Sequence, residues 1–177
     1  MRLSRLTNTA SKLDLQRQQY CEGFLAAYRA VSAPDEEQHR RQLTRFIEEG
    51  VNVGNFDIMQ ELFAPDFVSH SPLGDLSREE MAATLSAMRD ALTGFEMATP
   101  VTFLDGNRAA TIRTIKGTFD RELSSPNGVI PPNGNPIQVE MNCVIRFNEE
   151  GRIAEDWTQF DNLGFLTQLG VMPAPDQ

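Results

Sequence analysis

Histidine, cysteine and basic charge are all scarce in this chain of 177 residues, and each scarcity removes a class of function. The two histidines, His39 and His70, are too few for a histidine-rich metal site. An all-carboxylate metal site has no supporting motif either. Cys21 and Cys143 stand far apart without metal-ligand spacing, so free thiols in a reducing, cytoplasmic compartment are expected. The 16 Lys and Arg against 25 Asp and Glu leave a net charge of −9. Nucleic acid and anionic membranes select clustered Lys and Arg, and are therefore not the expected partners. No apolar run approaches the roughly 20 residues of a membrane span. The opening residues hold Arg2, Arg5 and Lys12 before the first acid, Asp14, a mix that faintly resembles a transit peptide. They lack the apolar stretch of a secretory signal, and a disordered basic start is the reading adopted.

What is present describes one domain. An apolar share of 40% with 23% charged residues suits a single soluble unit with its own core. Residues 1–35 read as an extension and 36–177 as the domain proper. In the extension, Tyr20, Cys21, Phe24, Leu25, Tyr28 and Val31 recur at helical spacing, and Pro34 closes that helix. A second helix is predicted over 36–51, with Leu43, Phe46, Ile47 and Val51 on one face. Asn52-Val53-Gly54-Asn55 is turn chemistry, with Gly54 suited to positive φ. A short helix is predicted over 56–63, an extended segment over 67–70 and a turn over 71–74. Ser77 followed by Glu80 is a capping box that opens a helix to about residue 92. From there the period falls to two. Strands are predicted over 101–104, 108–119, 137–147 and 152–160, with a long Pro/Asn/Gly loop before the third. Helices first and an antiparallel meander afterwards predict the α+β class, with helices on one face of a curved sheet.

Five stretches, met in order, carry a family resemblance. The first is Phe46-Ile47-x-x-Gly50-Val51-Asn52-x-Gly54-Asn55-x-Asp57, and Ala64-Pro65-Asp66-Phe67-Val68-Ser69-His70-Ser71-Pro72 follows it. Gly128-Val129-Ile130-Pro131-Pro132-Asn133-Gly134 is the third. Gly151-Arg152-Ile153-Ala154-Glu155-Asp156-Trp157-Thr158-Gln159-Phe160-Asp161 and the ending Gln168-Leu169-Gly170 complete the set. Over residues 43–170 the chain resembles the SnoaL-like polyketide cyclases, or ester cyclases, a branch of the cone-shaped α+β superfamily named after nuclear transport factor two. The resemblance implies a cavity between sheet and helices where an aspartate removes an acidic C–H proton and returns a proton to the new alkoxide. It implies neither metal nor organic cofactor. This sequence departs from the family at three positions. Thr158 stands where the aspartate belongs, Asp156 where a histidine often lies two residues earlier, and Cys143 where some members carry a polar pocket residue. A threonine hydroxyl is no base at neutral pH, so the family step does not transfer unchanged.

Strand alternation gives a separate reading of which side chains face inward. Ile137, Val139, Met141, Cys143, Ile145 and Phe147 form one apolar row, expected to face the cavity. The matching set on the last strand is Ala154, Asp156, Thr158 and Phe160, leaving Glu155, Trp157 and Gln159 outside. Asp156 is accordingly the candidate acid/base group, with apolar neighbours such as Met141 and Phe160 suiting it to proton shuttling. The competing reading is a solvated strand aspartate. Asp161 is a second catalytic candidate, or else a cap on the amides of Leu163 or Gly164. His70 is the third, able to orient a substrate carbonyl or relay a proton, or simply hydrogen-bonded near the surface. Thr158, Cys143, Met141, Phe160, Phe67, Asn52 and Trp157 are the candidate substrate contacts. Asn52 alternatively holds its own turn, and Trp157 alternatively anchors a subunit contact, which predicts a homodimer. Arg113 interrupts its strand's pattern, as a partner for a substrate carboxylate or as an outward salt bridge.

The expected function is a cofactor-independent cyclase or isomerase acting on a small polyketide-like or terpenoid-like substrate, apolar or aromatic. Two other readings stay open. Epoxide opening, hydration or dehydration needs a carboxylate pair holding a water, which only Asp156 with Asp161 could supply. A non-catalytic module that sequesters an apolar ligand is the other, since fold alone does not choose among them.

Overall fold

The structure, a computed structural model, describes residues 36–72, 74–125 and 128–173. The helix expected within the extension lies outside these residues. Helix α1, residues 36–45, widens without a break into a π-helical turn at Phe46–Asn52. Together they bury Leu43, Phe46, Ile47 and Val51, the row read from the sequence. Gly54 reverses the chain at φ 86°, and helix α2 (Ile58–Leu62) runs directly into strand β1 (Phe63–Ser71). The predicted helix over 56–63 is thus shorter and the extended segment longer. A register shift between Phe63 and Val68 accommodates Pro65 inside the strand.

The predicted turn over 71–74 joins β1 to β2 (Gly74–Ser77), which pairs antiparallel with β1. Helix α3 (Arg78–Ala91) opens on the predicted capping box. The Glu80 amide donates to Ser77 Oγ at 3.3 Å, and the Ser77 amide donates back to Glu80 Oε2 at 2.8 Å. Strand β3 (Leu92–Asp105) far exceeds the predicted 101–104. Register shifts between Thr93 and Glu96 and between Ala98 and Val101 break its alternation, and Pro100 lies within the second. An edge strand tolerates both, but loses its period-two signature.

Strands β4 (Arg108–Phe119), β7 (Pro136–Phe147) and β8 (Ile153–Phe160) match their predicted ranges closely. The long loop before β7 holds a hairpin, β5 (Leu123–Ser125) and β6 (Gly128–Ile130). Helix α4 (Asn162–Gln168) follows β8. Six strands form a curved, unclosed sheet in the order β2-β1-β8-β7-β4-β3. All neighbours are antiparallel except β1 and β8, which run parallel. The predicted four-strand meander, β3-β4-β7-β8, is antiparallel throughout, and the segment over 67–70 joins it as the parallel strand. Parallel neighbours need a long connection, and the whole run from β2 through β7 supplies one.

On β7 every second residue from Ile137 to Phe147 is buried, as the alternation required. Phe46, Phe63, Phe119 and Phe147 are the largest fully buried side chains of the core, on the helix side of the sheet. Phe63 meets Phe46 and Phe67 edge-on at 4.9 and 4.8 Å. No helix among the described residues is long and apolar enough to cross a membrane.

Candidate active site

β8 turns Asp156 toward the helices, flanked in register by Ile145 of β7 and Ser69 of β1. Oδ2 of Asp156 accepts a hydrogen bond from Arg113 Nη1 at 3.2 Å, and the two side chains are 3% and 5% exposed. Oδ1 accepts from the hydroxyl of Thr158. The Thr158 oxygen also lies 3.3 Å from Sγ of Cys143, its cross-strand partner. A hydroxyl has one proton, so with that proton on the carboxylate its oxygen accepts from the thiol. Burial pushes the Cys143 thiol up, which keeps the sulfur a donor; the Arg113 charge opposes that shift and the Asp156 charge adds to it. The result is a chain of four groups, guanidinium to carboxylate to hydroxyl to thiol. Thr158, half-buried, is its most accessible member.

Arg113 is not the outward salt bridge that its sequence position allowed. Ala109, Thr111, Arg113 and Ile115 share the buried face of β4, so the guanidinium points inward to Asp156. It lies with Cζ 5.8 Å from the ring centre of Phe46, a cation–π contact with the π-helical turn. Its Nε has no hydrogen-bond partner, nor has the buried Thr111 Oγ1 any among nitrogens and oxygens. Inward alternation of β4 was the signal that could have found it, because a charged residue on that face needs a partner.

Strand register puts His70 on the opposite sheet face from Asp156. Ser69 stands opposite Asp156 and His70 opposite Trp157, on the outer sheet face. Nδ1 of His70 is 2.8 Å from Asp75 Oδ1, Nε2 is 3.3 Å from Glu155 Oε1, and the ring stacks on Trp157 at 5.5 Å. Asp75 first, then Glu155, raise the His70 pKa above its ordinary value. Arg146, donating at 2.7 Å, holds Glu155 below the usual carboxylate range, with His70 adding to the effect.

Trp157 lies outside for the same reason, 38% exposed, and is no wall of an inner cavity. It lines an outer-face groove of about 370 Å³ with Phe103, Ile112, Val144, Asn142 and Gln159. Asn52 neither faces a pocket nor holds its own turn. Its amide donates to Met97 O and its carbonyl accepts from Met97 N, both at 2.8 Å, pinning β3 between its two register shifts. Asp161 accepts from the Gly164 amide at 2.9 Å as the cap of α4, so it forms no pair with Asp156. Phe67 belongs to the core. Met141 is buried on the row of Cys143, and Phe160 is half-buried, edge-on to Phe165 at 5.9 Å. The structure therefore gathers Asp156, Thr158 and Cys143, with Met141 and Phe160 further along the same face, and adds Arg113.

A curved antiparallel-rich sheet, helices on one side and a charge pair buried beneath them define an α+β cone with a polar centre in an apolar interior. The chain belongs to the SnoaL-like polyketide cyclase family, whose sequence model matches residues 41–169. No curated protein sequence matches it. Among solved structures it is similar to IdmH from Streptomyces antibioticus, named as a candidate polyketide cyclase. The identity is 26%, covering 75% of this chain and 99% of that one, with a TM-score of 0.60. A SnoaL-like protein from Jannaschia sp. CCS1 superposes at TM-score 0.66, with 19% identity over 79% of this chain and 96% of that one. An LEH-like epoxide hydrolase from M. tuberculosis shares the fold at TM-score 0.57, with 19% identity over 78% and 93% of the two chains.

Proposed function

We propose that this protein is a cofactor-independent cyclase or isomerase that performs acid/base chemistry on a small polyketide-like substrate through Asp156. One observation carries the reading. The only acidic side chain buried in the apolar interior among the described residues is Asp156, and it accepts a hydrogen bond from the half-buried Thr158. In the ring-closing form of the reaction, a C–H flanked by carbonyls gives its proton to the Asp156 carboxylate, and its electron pair passes to a carbonyl oxygen as an enolate. The enolate carbon then bonds to a second carbonyl carbon of the same molecule. The resulting alkoxide takes the proton back from Asp156, so the residue ends as it began. Folding a flexible chain so the two carbons meet supplies much of the rate.

The epoxide-opening reading loses its support, because Asp161 is committed to the α4 cap. Residues 36–177 form the catalytic domain, with 1–35 an extension. The unpaired Cys143 fits the reducing, cytoplasmic setting. The working unit is a homodimer joined through the outer sheet face, where Phe103, Val144 and Trp157 are 70%, 45% and 38% exposed on facing strands. Sedimentation of wild type and Trp157→Glu tests this: a dimer turning monomeric is expected, and a monomeric wild type refutes it.

The test of the chemistry is solvent-deuterium exchange at the α-carbon of linear β-keto esters, followed by NMR. Wild type accelerates exchange, and Asp156→Asn does not. Exchange undiminished in Asp156→Asn ends the assignment. A wild type that binds these esters without exchanging them is a ligand carrier instead.

A further inference from the structure

A guanidinium presents five N–H donors. In Arg113 one of them meets Asp156, and Nε, buried, meets nothing. The residue is 4% exposed, too enclosed for bulk water to satisfy that donor. Thr111, one strand repeat away on the same buried face, leaves a hydroxyl oxygen without a nitrogen or oxygen partner. Thr111 reaches the Cys143 thiol across the sheet, so the Arg113 Nε is the atom left unsatisfied beside a charge pair whose carboxylate oxygens both have donors. Buried polar groups are rarely left so, and each such case calls for an occupant or a function. A second buried acid could have been the occupant. Among the described residues the other buried polar side chains are His39 and Ser69, and neither is anionic at neutral pH.

Resting on the reading that Asp156 is the base, we infer that Arg113 receives the substrate oxygen that becomes anionic, through Nε. The substrate class is then an enolisable carbonyl compound whose enolate, and not its neutral ketone, is the species the interior binds best. The proton removed from carbon sits on Asp156, so the carboxylate loses its charge in the step that creates the enolate oxygen. Arg113 keeps one anionic partner throughout: the carboxylate before proton transfer and the enolate after it. No net charge is created or stranded in the apolar interior, which is the condition for a buried guanidinium to help rather than resist the reaction. A donor aimed at a developing oxyanion contributes on the order of 10²–10³ to the rate.

The experiment is calorimetric titration with 1,3-cyclohexanedione, an enolate at neutral pH, and with cyclohexanone, its neutral counterpart. In wild type the Asp156 carboxylate already holds that place, so only a weak enolate preference is expected. Asp156→Asn, which frees the guanidinium from its resident anion, is expected to bind the enolate about tenfold tighter than wild type does. Asp156→Asn strands the guanidinium as Arg113→Gln would strand the aspartate, so folding of each variant is checked by circular dichroism and Arg113→Gln/Asp156→Asn serves as the neutral pair, expected to lose the preference. A residue that merely positions Asp156 leaves the enolate-to-ketone ratio unchanged between the Asp156→Asn single and the double variant. That result, or an Asp156→Asn protein with no enolate preference, overturns the inference and leaves Nε to a buried water. Deuterium exchange separates the two claims. Exchange that survives in Asp156→Asn removes the base but not the anion site; exchange lost with no enolate preference does the reverse.

Discussion

Arg113 and Asp156 form a buried ion pair across an intervening strand, although register places them on different rungs of the sheet. Arg113 stands opposite Met141, itself opposite Phe160, while Asp156 stands opposite Ile145. Curvature of the sheet brings their side chains to 3.2 Å. Removing one member leaves the other charge unpaired in an apolar interior, at a cost of about 3–5 kcal/mol. Arg113→Met should therefore unfold at markedly lower urea concentration, whereas Arg113→Met/Asp156→Leu should regain most of the loss. A double variant as unstable as the single one contradicts the pairing.

Thr158 is the link between the carboxylate and the thiol. Thr158→Val keeps the shape and removes the hydroxyl that donates to Asp156 Oδ1. A lost hydrogen bond to a charged group is worth about 1.5–3 kcal/mol. Urea denaturation should show a fall of that size, with β-keto ester exchange slowed and Cys143 as slow to react with thiol reagents as in wild type.

Asn52 satisfies both backbone groups of Met97. Replacing it by Ala leaves a donor and an acceptor unpaired, each costing about 1–3 kcal/mol. Hydrogen exchange should report early loss of protection around residues 93–101, because Asn52 holds the one regular stretch between the shifts. Unchanged protection there would show that the strand holds its own register.

His70 makes the outer face pH-dependent. Its folded pKa is raised by Asp75 and Glu155, so its contribution to stability is complete below the ordinary value of about 6.5 and fades as pH rises through the folded pKa. The groups that face it are Asp75 from β2, Glu155 from β8 and, through Glu155, Arg146 from β7. NMR titration of His70 should give a midpoint above the ordinary value that falls in Asp75→Asn. The melting-temperature gap between wild type and His70→Gln should be wider at acidic than at alkaline pH; a gap that widens with alkali reverses the sign and rejects the pairing.

Asp161 and Gly164 separate capping from catalysis. A Cβ on Gly164 would collide with the capping carboxylate of Asp161. Asp161→Ala and Gly164→Ala should each destabilise the protein by about 1 kcal/mol, the usual worth of an N-cap, with exchange activity kept. Activity lost in Asp161→Ala at unchanged stability would return Asp161 to the chemistry.

Much of this was legible beforehand, and the reasons are local. Ser77 and Glu80 start α3 because a hydroxyl and a carboxylate three residues apart satisfy each other's amides wherever they occur. The alternating row from Ile137 to Phe147 decided which face of β7 is buried, and through pairing which face of β8 holds Asp156 and Thr158. β3 was largely illegible, since two register shifts erase the period that reveals a strand. His70 could not be placed from its own neighbours, because β1 runs beside β8 and not beside a sequence neighbour of β8.

The amino-acid sequence by itself determined the family, the α+β class and the inward set on β7 and β8, all of which depend on residue order and short periods. Tertiary structure alone decided that Asp156 has Arg113 as its partner, that Asn52 serves β3 and that His70 serves the outer face. Those contacts depend on which strands become neighbours and how far the sheet bends. Pairing order and curvature arise from the packing of the whole chain, so no short stretch of it encodes them.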